Sequence, residues 1–290
     1  MALIYETYDM PRVQVYIPNK LADASDVWKI ASEEIVGIEV EVENQVHRRP
    51  SNPVWTITED GSLRNGGVEF ISRPIRACDA PAALNHLFKG DFDQQYCFSP
   101  RTSVHVHLNM QDVQSEKVVD LLLVYCLFEK SLYRFVGKGR WKNIYCTPIT
   151  ESGFLYNLAG RGIRTPWEKY TGFNMLPLQQ KGTVEFRHMH GTIDAKKLSI
   201  WIDLITRMKA YVLRNKTEDI RRTIIGFGGG DVERFAQEVF GELSVCLELS
   251  NPGEVVSRIT AIKLGNVKTA SLNDAIRKTI KNDSKFFKVA

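Results

Sequence analysis

The sequence lacks the features that mark several common classes of protein. It has five cysteines, which is an odd number, and they are widely spaced with no Cys-x-x-Cys pair. This pattern is typical of reduced thiols rather than of a disulfide framework. No apolar run is long enough to span a membrane, and the first residues lack the basic start and apolar stretch of a signal peptide. We therefore expect a soluble, cytoplasmic protein with no membrane partner.

A strong net charge is also missing. The formal charge is +4 over 290 residues, which is too small to predict a dedicated nucleic-acid-binding protein. Only the C-terminal segment is clearly basic, a pattern typical of a solvated helix face. The sequence leaves open whether this basic tail binds an acidic partner such as a nucleic acid. The triple glycine at 228–230 lacks the Lys-Ser/Thr ending of a P-loop, and we interpret it as a flexible connection.

The sequence does contain clear periodic segments. Apolar spacing predicts helices over 23–34, 79–88, 115–136, 194–213 (capped by Asp194) and 231–243. Alternation predicts strands over 12–17, 36–43, 55–57, 67–72, 103–109 and 183–189. The composition becomes charged at 216–222. We therefore predict a catalytic domain over 1–214 and a small helical C-terminal subdomain over 215–290.

Four of the predicted strands carry polar groups on one face and aliphatic groups on the other. Residues i and i+2 of a strand share a face about 6.5–7 Å apart, so Ile38 and Val40 bury one face while Glu39 and Glu41 line the other. The polar positions of the four strands are Glu39, Glu41, Glu43, Glu69, His105, His107, Glu185 and Arg187. If the strands lie side by side, such an acidic face requires solvent or divalent cations that favour carboxylate oxygens.

The residue types at this face are compatible with two chemistries. His105 and His107 form a His-x-His pair, a frequent zinc element, which together with a carboxylate predicts a zinc-dependent hydrolase. Arg187 lies two residues from Glu185 and suits phosphoryl transfer, because a cation neutralises the charge on the transferring phosphate while Mg2+ bridges its oxygens. Strand parity places His188 and His190 on the opposite face, where we interpret them as packing or turn residues.

These segments follow one another in a fixed order along residues 36–213. They are Gly37-Ile38-Glu39-Val40-Glu41, Trp55 through Asp60-Gly61-Ser62, Gly67-Val68-Glu69-Phe70-Ile71-Ser72, Ser103-Val104-His105-Val106-His107, the 170–174 stretch, and Gly182-Thr183-Val184-Glu185-Phe186-Arg187 with Gly191-Thr192. As an ordered set they resemble the amidoligase family, a branch of the carboxylate–amine ligases with the glutamine synthetase-like fold. The sequence departs from the family at Pro100-Arg101-Thr102-Ser103, where a Cys or Gly is usual, so Arg101 is assigned no catalytic role.

The resemblance implies an α+β fold in which a curved antiparallel sheet of the glutamine synthetase-like type carries helices on one side. It also implies a ligand set for two Mg2+ ions. Glu41 and Glu69, with Asp60, would hold one ion, and a second would be held by Glu39, His107 and Glu185. Arg187 and Glu185 would be the catalytic residues. Arg187 would contact the transferring phosphate, and Arg161 and Arg164 in the 138–171 loop are further candidates for binding ATP or a substrate carboxylate.

The implied reaction is the ATP- and Mg2+-dependent joining of a carboxylate and an amine through an acyl phosphate. Two alternatives stay open, a zinc-dependent hydrolase that uses His105 and His107 and a catalytically silent binding protein that keeps the ligase scaffold. The sequence does not identify the carboxylate substrate or the amine acceptor, which can be a small molecule, a peptide or a modified macromolecule.

Overall fold

The computed structural model describes residues 2–19, 21, 23–45, 50–92, 95–137, 139–151, 169–227 and 232–261. Within these ranges the chain is α+β, as predicted, with seven strands in one open antiparallel sheet and seven α-helices. Arg161, Arg164, the glycines at 228–230 and the basic tail lie outside the described residues. No helix in the described ranges combines the length and the apolar character needed to cross a membrane.

The strands are β1 Ile35–Val42, β2 Trp55–Glu59, β3 Val68–Ser72, β4 Ile75–Arg76, β5 Ser103–Asn109, β6 Phe173–Asn174 and β7 Thr183–His190. The helices are α1 Ile4–Thr7, α2 Ala80–Gly90, α3 Ser115–Val136, α4 Ala195–Arg214, α5 Thr217–Ile225, α6 Val232–Phe240 and α7 Gly253–Ala261. The order across the sheet is β2-β3-β1-β5-β7-β6, and β4 also pairs with β1. Sequence neighbours β1 and β2 are therefore separated in the sheet by β3.

Residue contacts divide the chain into two compact units. The first takes in the described residues among 1–11, 110–185 and 208–290, and the second takes in those among 12–109 and 186–207. The helices after residue 215 are grouped with α3 in the first unit. The predicted domain boundary at 214/215 stays a prediction.

The core of the second unit lies against the apolar face of the sheet. Ile38, Val40 and Val106 are fully buried on that face. The ring of Trp201 on α4 packs against Phe186 and His188 of β7, with centroids 6.4 and 5.2 Å away. His188 is therefore a packing residue, as strand parity predicts, and the polar face of the same strands lies on the other side.

Two predicted elements of this unit are wrong. Residues 12–17 form no strand: Tyr16 N donates to Pro74 O at 2.7 Å, and Ile17 is 63% exposed. Residues 23–34 form no helix, because Asp23 accepts hydrogen bonds from both the amide and the hydroxyl of Ser25 in a local turn. In both cases a local apolar pattern is overridden by hydrogen bonds that single-sequence periodicity does not report.

In the first unit, α3 spans residues 115–136 as predicted. Its fully buried Glu129 accepts hydrogen bonds from Tyr125 Oη at 2.6 Å and from the backbone amides of Ile149 and Thr150 at 2.7 and 2.8 Å. Burial raises the pKa of Glu129, although these donors and the Thr150 hydroxyl oppose the shift. The carboxylate thereby fastens the 147–150 segment to the helix.

We expect Glu129→Ala to lower the free energy of unfolding by about 2–4 kcal/mol, because the substitution leaves several buried donors without an acceptor. Urea unfolding measures the change. Glu116→Gln on the same helix is the control, because Glu116 is partly exposed, its ion pair with Arg221 is long at 3.8 Å, and such pairs contribute less than about 1 kcal/mol. Equal effects of the two substitutions would contradict a structural role for the Glu129 network.

Candidate functional site

The polar face of the second unit is built around β1, which lies between β3 and β5. The strand register sets Glu41 opposite Glu69 on β3 and Glu39 opposite His105 on β5. Directly opposed residues of antiparallel strands have Cβ atoms about 4.5–5.5 Å apart. The predicted convergence of acidic and imidazole groups is therefore a direct result of the pairing order.

Glu39 contacts both histidines of the His-x-His pair. Its Oε2 lies 3.4 Å from His105 Nδ1, and its Oε1 lies 3.0 Å from His107 Nε2. All three residues are buried. Burial alone would raise the pKa of Glu39, but hydrogen bonds with His105 and His107 outweigh it and hold the pKa well below its usual value. Glu39 is therefore an ionised carboxylate at the centre of the face.

Glu69 has the opposite electrostatic character. Burial, together with the charges of Glu39, Glu41 and Asp60, raises its pKa to about 9. Like charges close together cannot all ionise in a poorly solvated place. Glu69 therefore retains its proton at neutral pH unless a cation compensates the charge.

Ser103 organises the Glu41 side of the cluster. Its backbone N–H and its hydroxyl both donate to Glu41 Oε2, at 2.8 and 2.7 Å. The same hydroxyl oxygen lies 2.7 Å from His105 Nε2. Sequence patterning missed Ser103, although its position two residues before His105 places it on the same face of β5.

Arg187 reaches the cluster from β7. Its Nη1 lies 3.5 Å from His105 Nδ1, and the residue is half-buried. Gly191, just after the strand, donates its N–H to Thr102 O at 3.1 Å, and a Cβ at that position would lie 2.4 Å from Thr102 Oγ1. The glycine thus permits the close approach that places this end of β7 beside β5.

Glu185 belongs to the first unit. It is buried and accepts a hydrogen bond from Asn174 Nδ2 on β6 at 2.7 Å. Asn174 lies within the 170–174 segment of the ordered set, but the sequence predicted no role for its side chain.

A turn borders the cluster near β3. Asp60 caps it by accepting from Ser62 N at 2.8 Å, and Arg101 Nη1 donates to Ser62 O at 3.0 Å. Glu43 accepts from Arg64 N at 3.0 Å. Glu43 and Arg101 therefore hold the turn, while Asp60 contributes negative charge near Glu69.

Three residues of this unit meet the geometric requirement for a metal site. Each of Glu39, Glu69 and His105 offers a ligand atom, and these atoms all lie within 4.8 Å of one another. The predicted ligands Glu41 and His107 flank this group through their contacts with His105 and Glu39. The sequence had placed His105 only in a zinc pair, because strand parity does not report which carboxylate faces which histidine.

No protein-family model matches the chain, and no curated protein matches it significantly.

Proposed function

We propose that the protein is an ATP- and Mg2+-dependent carboxylate–amine ligase whose metal centre lies on the polar face formed by β1, β3 and β5. The observation that carries the proposal is the convergence of Glu39, Glu69 and His105, with ligand atoms within 4.8 Å, beside the guanidinium of Arg187. The ordered segments that resemble the amidoligases supply the reaction class.

The donor set fits a hard divalent cation. Carboxylate oxygens are the ligands that Mg2+ favours, and Glu39 is ionised while largely screened from water. Burial, and then the negative charges of Glu39, Glu41 and Asp60, raise the pKa of Glu69, so a further negative charge is unfavourable at this position. A bound cation would offset these charges and let Glu69 ionise.

The proposal assigns a role to each candidate site residue named below. Mg2+, when bound, supplies charge neutralisation for phosphoryl transfer. Arg187 binds the transferring phosphate as a fixed cation, and Glu39 and Glu69 position the metal. Glu185, two residues before Arg187 on the same strand, stays a predicted metal ligand and catalytic residue. Arg161 and Arg164 stay predicted contacts for ATP or a substrate carboxylate.

The proposal also covers features beyond the metal centre. The open antiparallel sheet would be the curved sheet of a glutamine synthetase-like fold. The substrates would be a carboxylate, activated as an acyl phosphate, and an amine acceptor. The reaction would take place in the cytoplasm, in keeping with five cysteines that form no disulfide.

Calorimetry of Mg-ATP binding tests the proposal without knowledge of either substrate. We expect wild-type protein to bind Mg-ATP in a way that EDTA abolishes. We expect Glu69→Gln to weaken binding by at least about tenfold, since changing even an outer-shell partner of a metal typically lowers metal affinity about 10–100-fold. Glu59→Gln is the matched control, because Glu59 is an exposed glutamate on β2 of the same sheet. An absence of wild-type binding, or equal binding by Glu69→Gln, would contradict the proposal.

A zinc-dependent hydrolase is the second candidate, favoured by the contact of one carboxylate, Glu39, with both His105 and His107. Metal analysis of protein purified without chelator separates the two functions. Stoichiometric zinc that His107→Gln removes would favour the hydrolase.

A further inference from the structure

Arg101 carries a half-buried guanidinium two residues before β5, beside the polar cluster. Its Nη1 donates to the carbonyl oxygen of Ser62 at 3.0 Å, and its backbone N–H donates to Ser99 Oγ at 3.1 Å. Within the described ranges no carboxylate lies at ion-pair distance from this guanidinium. Since a guanidinium has five N–H donors, most of its hydrogen-bonding capacity is left for solvent or a ligand.

Other arginines of the second unit form ion pairs. Arg76 lies 2.8 Å from Asp79, and Arg207 lies 3.0 Å from Asp203. Arg101 differs from them although it lies at the border of an acidic cluster. A guanidinium that is held near carboxylates, yet is bonded to none of those in the described part of the chain, is a candidate for binding an anion from solution.

The turn between β2 and β3, residues 60–67, holds this guanidinium in place. Asn65 and Gly66 have positive φ angles of 53° and 69°, a backbone conformation that glycine and asparagine adopt at the least cost. Asp60 Oδ1 accepts from Ser62 N at 2.8 Å. The carbonyl of Ser62 is therefore fixed by the turn, and so is the arginine side chain that donates to it.

Arg101 and Arg187 lie on opposite sides of β1 in the sheet. Arg187 belongs to β7, beyond β5, whereas the guanidinium of Arg101 contacts the turn that joins β2 to β3. The candidate metal ligands Glu39 and Glu69 lie on β1 and β3, and the charge of Asp60, in the turn, acts on Glu69. The strand order therefore gives the centre one guanidinium on each side.

The chemistry of this position suits an anion. The fork of a guanidinium matches carboxylate and phosphate groups, which it binds through two parallel hydrogen bonds. An anion that approaches the acidic face is repelled by its carboxylates, and a guanidinium at the border offsets that repulsion. Because Arg101 is held by the turn, less side-chain freedom is lost when the anion binds.

We propose that Arg101 is a ligand-binding residue that holds a carboxylate or phosphate group of a substrate at the turn between β2 and β3. The inference deepens the proposed ligase function, on which the identity of the ligand rests, since ATP and the carboxylate substrate both carry such a group. It assigns Arg101 to binding and not to the chemical step. The resemblance supplies no such residue, because the sequence departs from the family at 100–103.

NMR of the arginine Nε–H groups tests the contact in wild-type protein. Arg101→Lys and Arg64→Lys assign the two resonances. Titrations use three probes, inorganic phosphate, glutarate and Mg-ATP, and we expect at least one of them to shift the Arg101 resonance. Arg64 is the internal control, because it is an exposed arginine of the same turn whose backbone N–H donates to Glu43, and its resonance should stay in place.

Calorimetry with the probe that shifts the Arg101 resonance measures the size of the effect. We expect Arg101→Gln to lower the affinity about 10–100-fold, which corresponds to one hydrogen bond between charged groups. Arg101→Lys keeps the charge without the fork and should recover part of this loss. Arg64→Gln is the matched control, which removes the same charge from the same turn and should lower the affinity less than about fivefold.

Glu43→Ala separates binding from a structural role. Glu43 holds the turn by accepting from Arg64 N at 3.0 Å, so its loss loosens the turn and leaves the Arg101 guanidinium present. We expect this variant to bind the probe more tightly than Arg101→Gln does. Equal losses of affinity in the two variants would reduce Arg101 to a residue that holds the turn and would overturn the inference.

The probes identify the group that Arg101 binds. A shift by phosphate or Mg-ATP assigns it to a phosphate of ATP, and a shift by glutarate alone assigns it to the carboxylate substrate. A resonance that none of the three probes shifts, or equal losses of affinity in Arg101→Gln and Arg64→Gln, would also overturn the inference. Failure of wild type to bind Mg-ATP contradicts the ligase instead, while phosphate and glutarate still decide the role of Arg101.

Discussion

Replacing Glu39 with glutamine is expected to abolish divalent-cation binding and, with it, ATP turnover. Glu39 contacts both His105 and His107, and its pKa is held low despite burial, so it supplies a permanent negative charge. Glutamine keeps the shape and removes that charge. We expect the dissociation constant for Mn2+ to rise by more than about 100-fold, since changing even an outer-shell partner of a metal lowers metal affinity by about 10–100-fold.

Glu43→Gln is the control for this substitution. Glu43 is also a buried glutamate that follows the polar positions of β1, but it bonds the backbone of Arg64. Electron paramagnetic resonance of free Mn2+ gives the affinities, and unfolding in EDTA checks that each variant is folded. Cation binding by a folded Glu39→Gln at the wild-type level would contradict the proposed centre.

The alternation of polar and apolar residues was sufficient to predict the two faces of the central strands. Ile38 and Val40 are fully buried while Glu39 and Glu41 lie opposite them, because a strand with period-two patterning has only one way to bury its aliphatic side chains. The strand β5 and the helix α3 have the bounds predicted for them. These elements are long or strongly periodic, so local sequence dominates their structure.

The arrangement within the cluster could not be predicted from the same pattern. Parity states that Glu39 and His105 each lie on a polar face, but only the strand order β3-β1-β5 and its register set them opposite each other. That order depends on which long-range pairings bury the most apolar surface. Ser103 and Asn174 were missed for the same reason, since each acquires its role from a partner on another strand.

Glu69 is expected to lower the stability of the metal-free protein progressively as pH rises from about 5 to about 9. The folded-state pKa of Glu69 is about 9, against an ordinary value of 4.5. Between these values the unfolded chain has released the proton and the folded protein keeps it, so folding takes up a proton. Stability therefore decreases with pH, by at most about 1.4 kcal/mol per pH unit for one proton.

Glu69→Gln isolates this contribution, because glutamine resembles the protonated carboxyl in both states. Urea unfolding in EDTA over this pH range should show the variant becoming progressively more stable than wild type. Glu59→Gln should follow wild type. A constant difference between Glu69→Gln and wild type would contradict the raised pKa.

The same raised pKa links metal binding to proton release. A cation that lets Glu69 ionise must displace its proton, because metal ligands bind in their deprotonated form. Calorimetry of Mn2+ binding near pH 7 in buffers of different ionisation enthalpy should report about one proton released by wild type. A variant that is more stable than wild type without metal, yet binds metal poorly, would show that Glu69 is kept for binding at the expense of stability, as is common at functional sites.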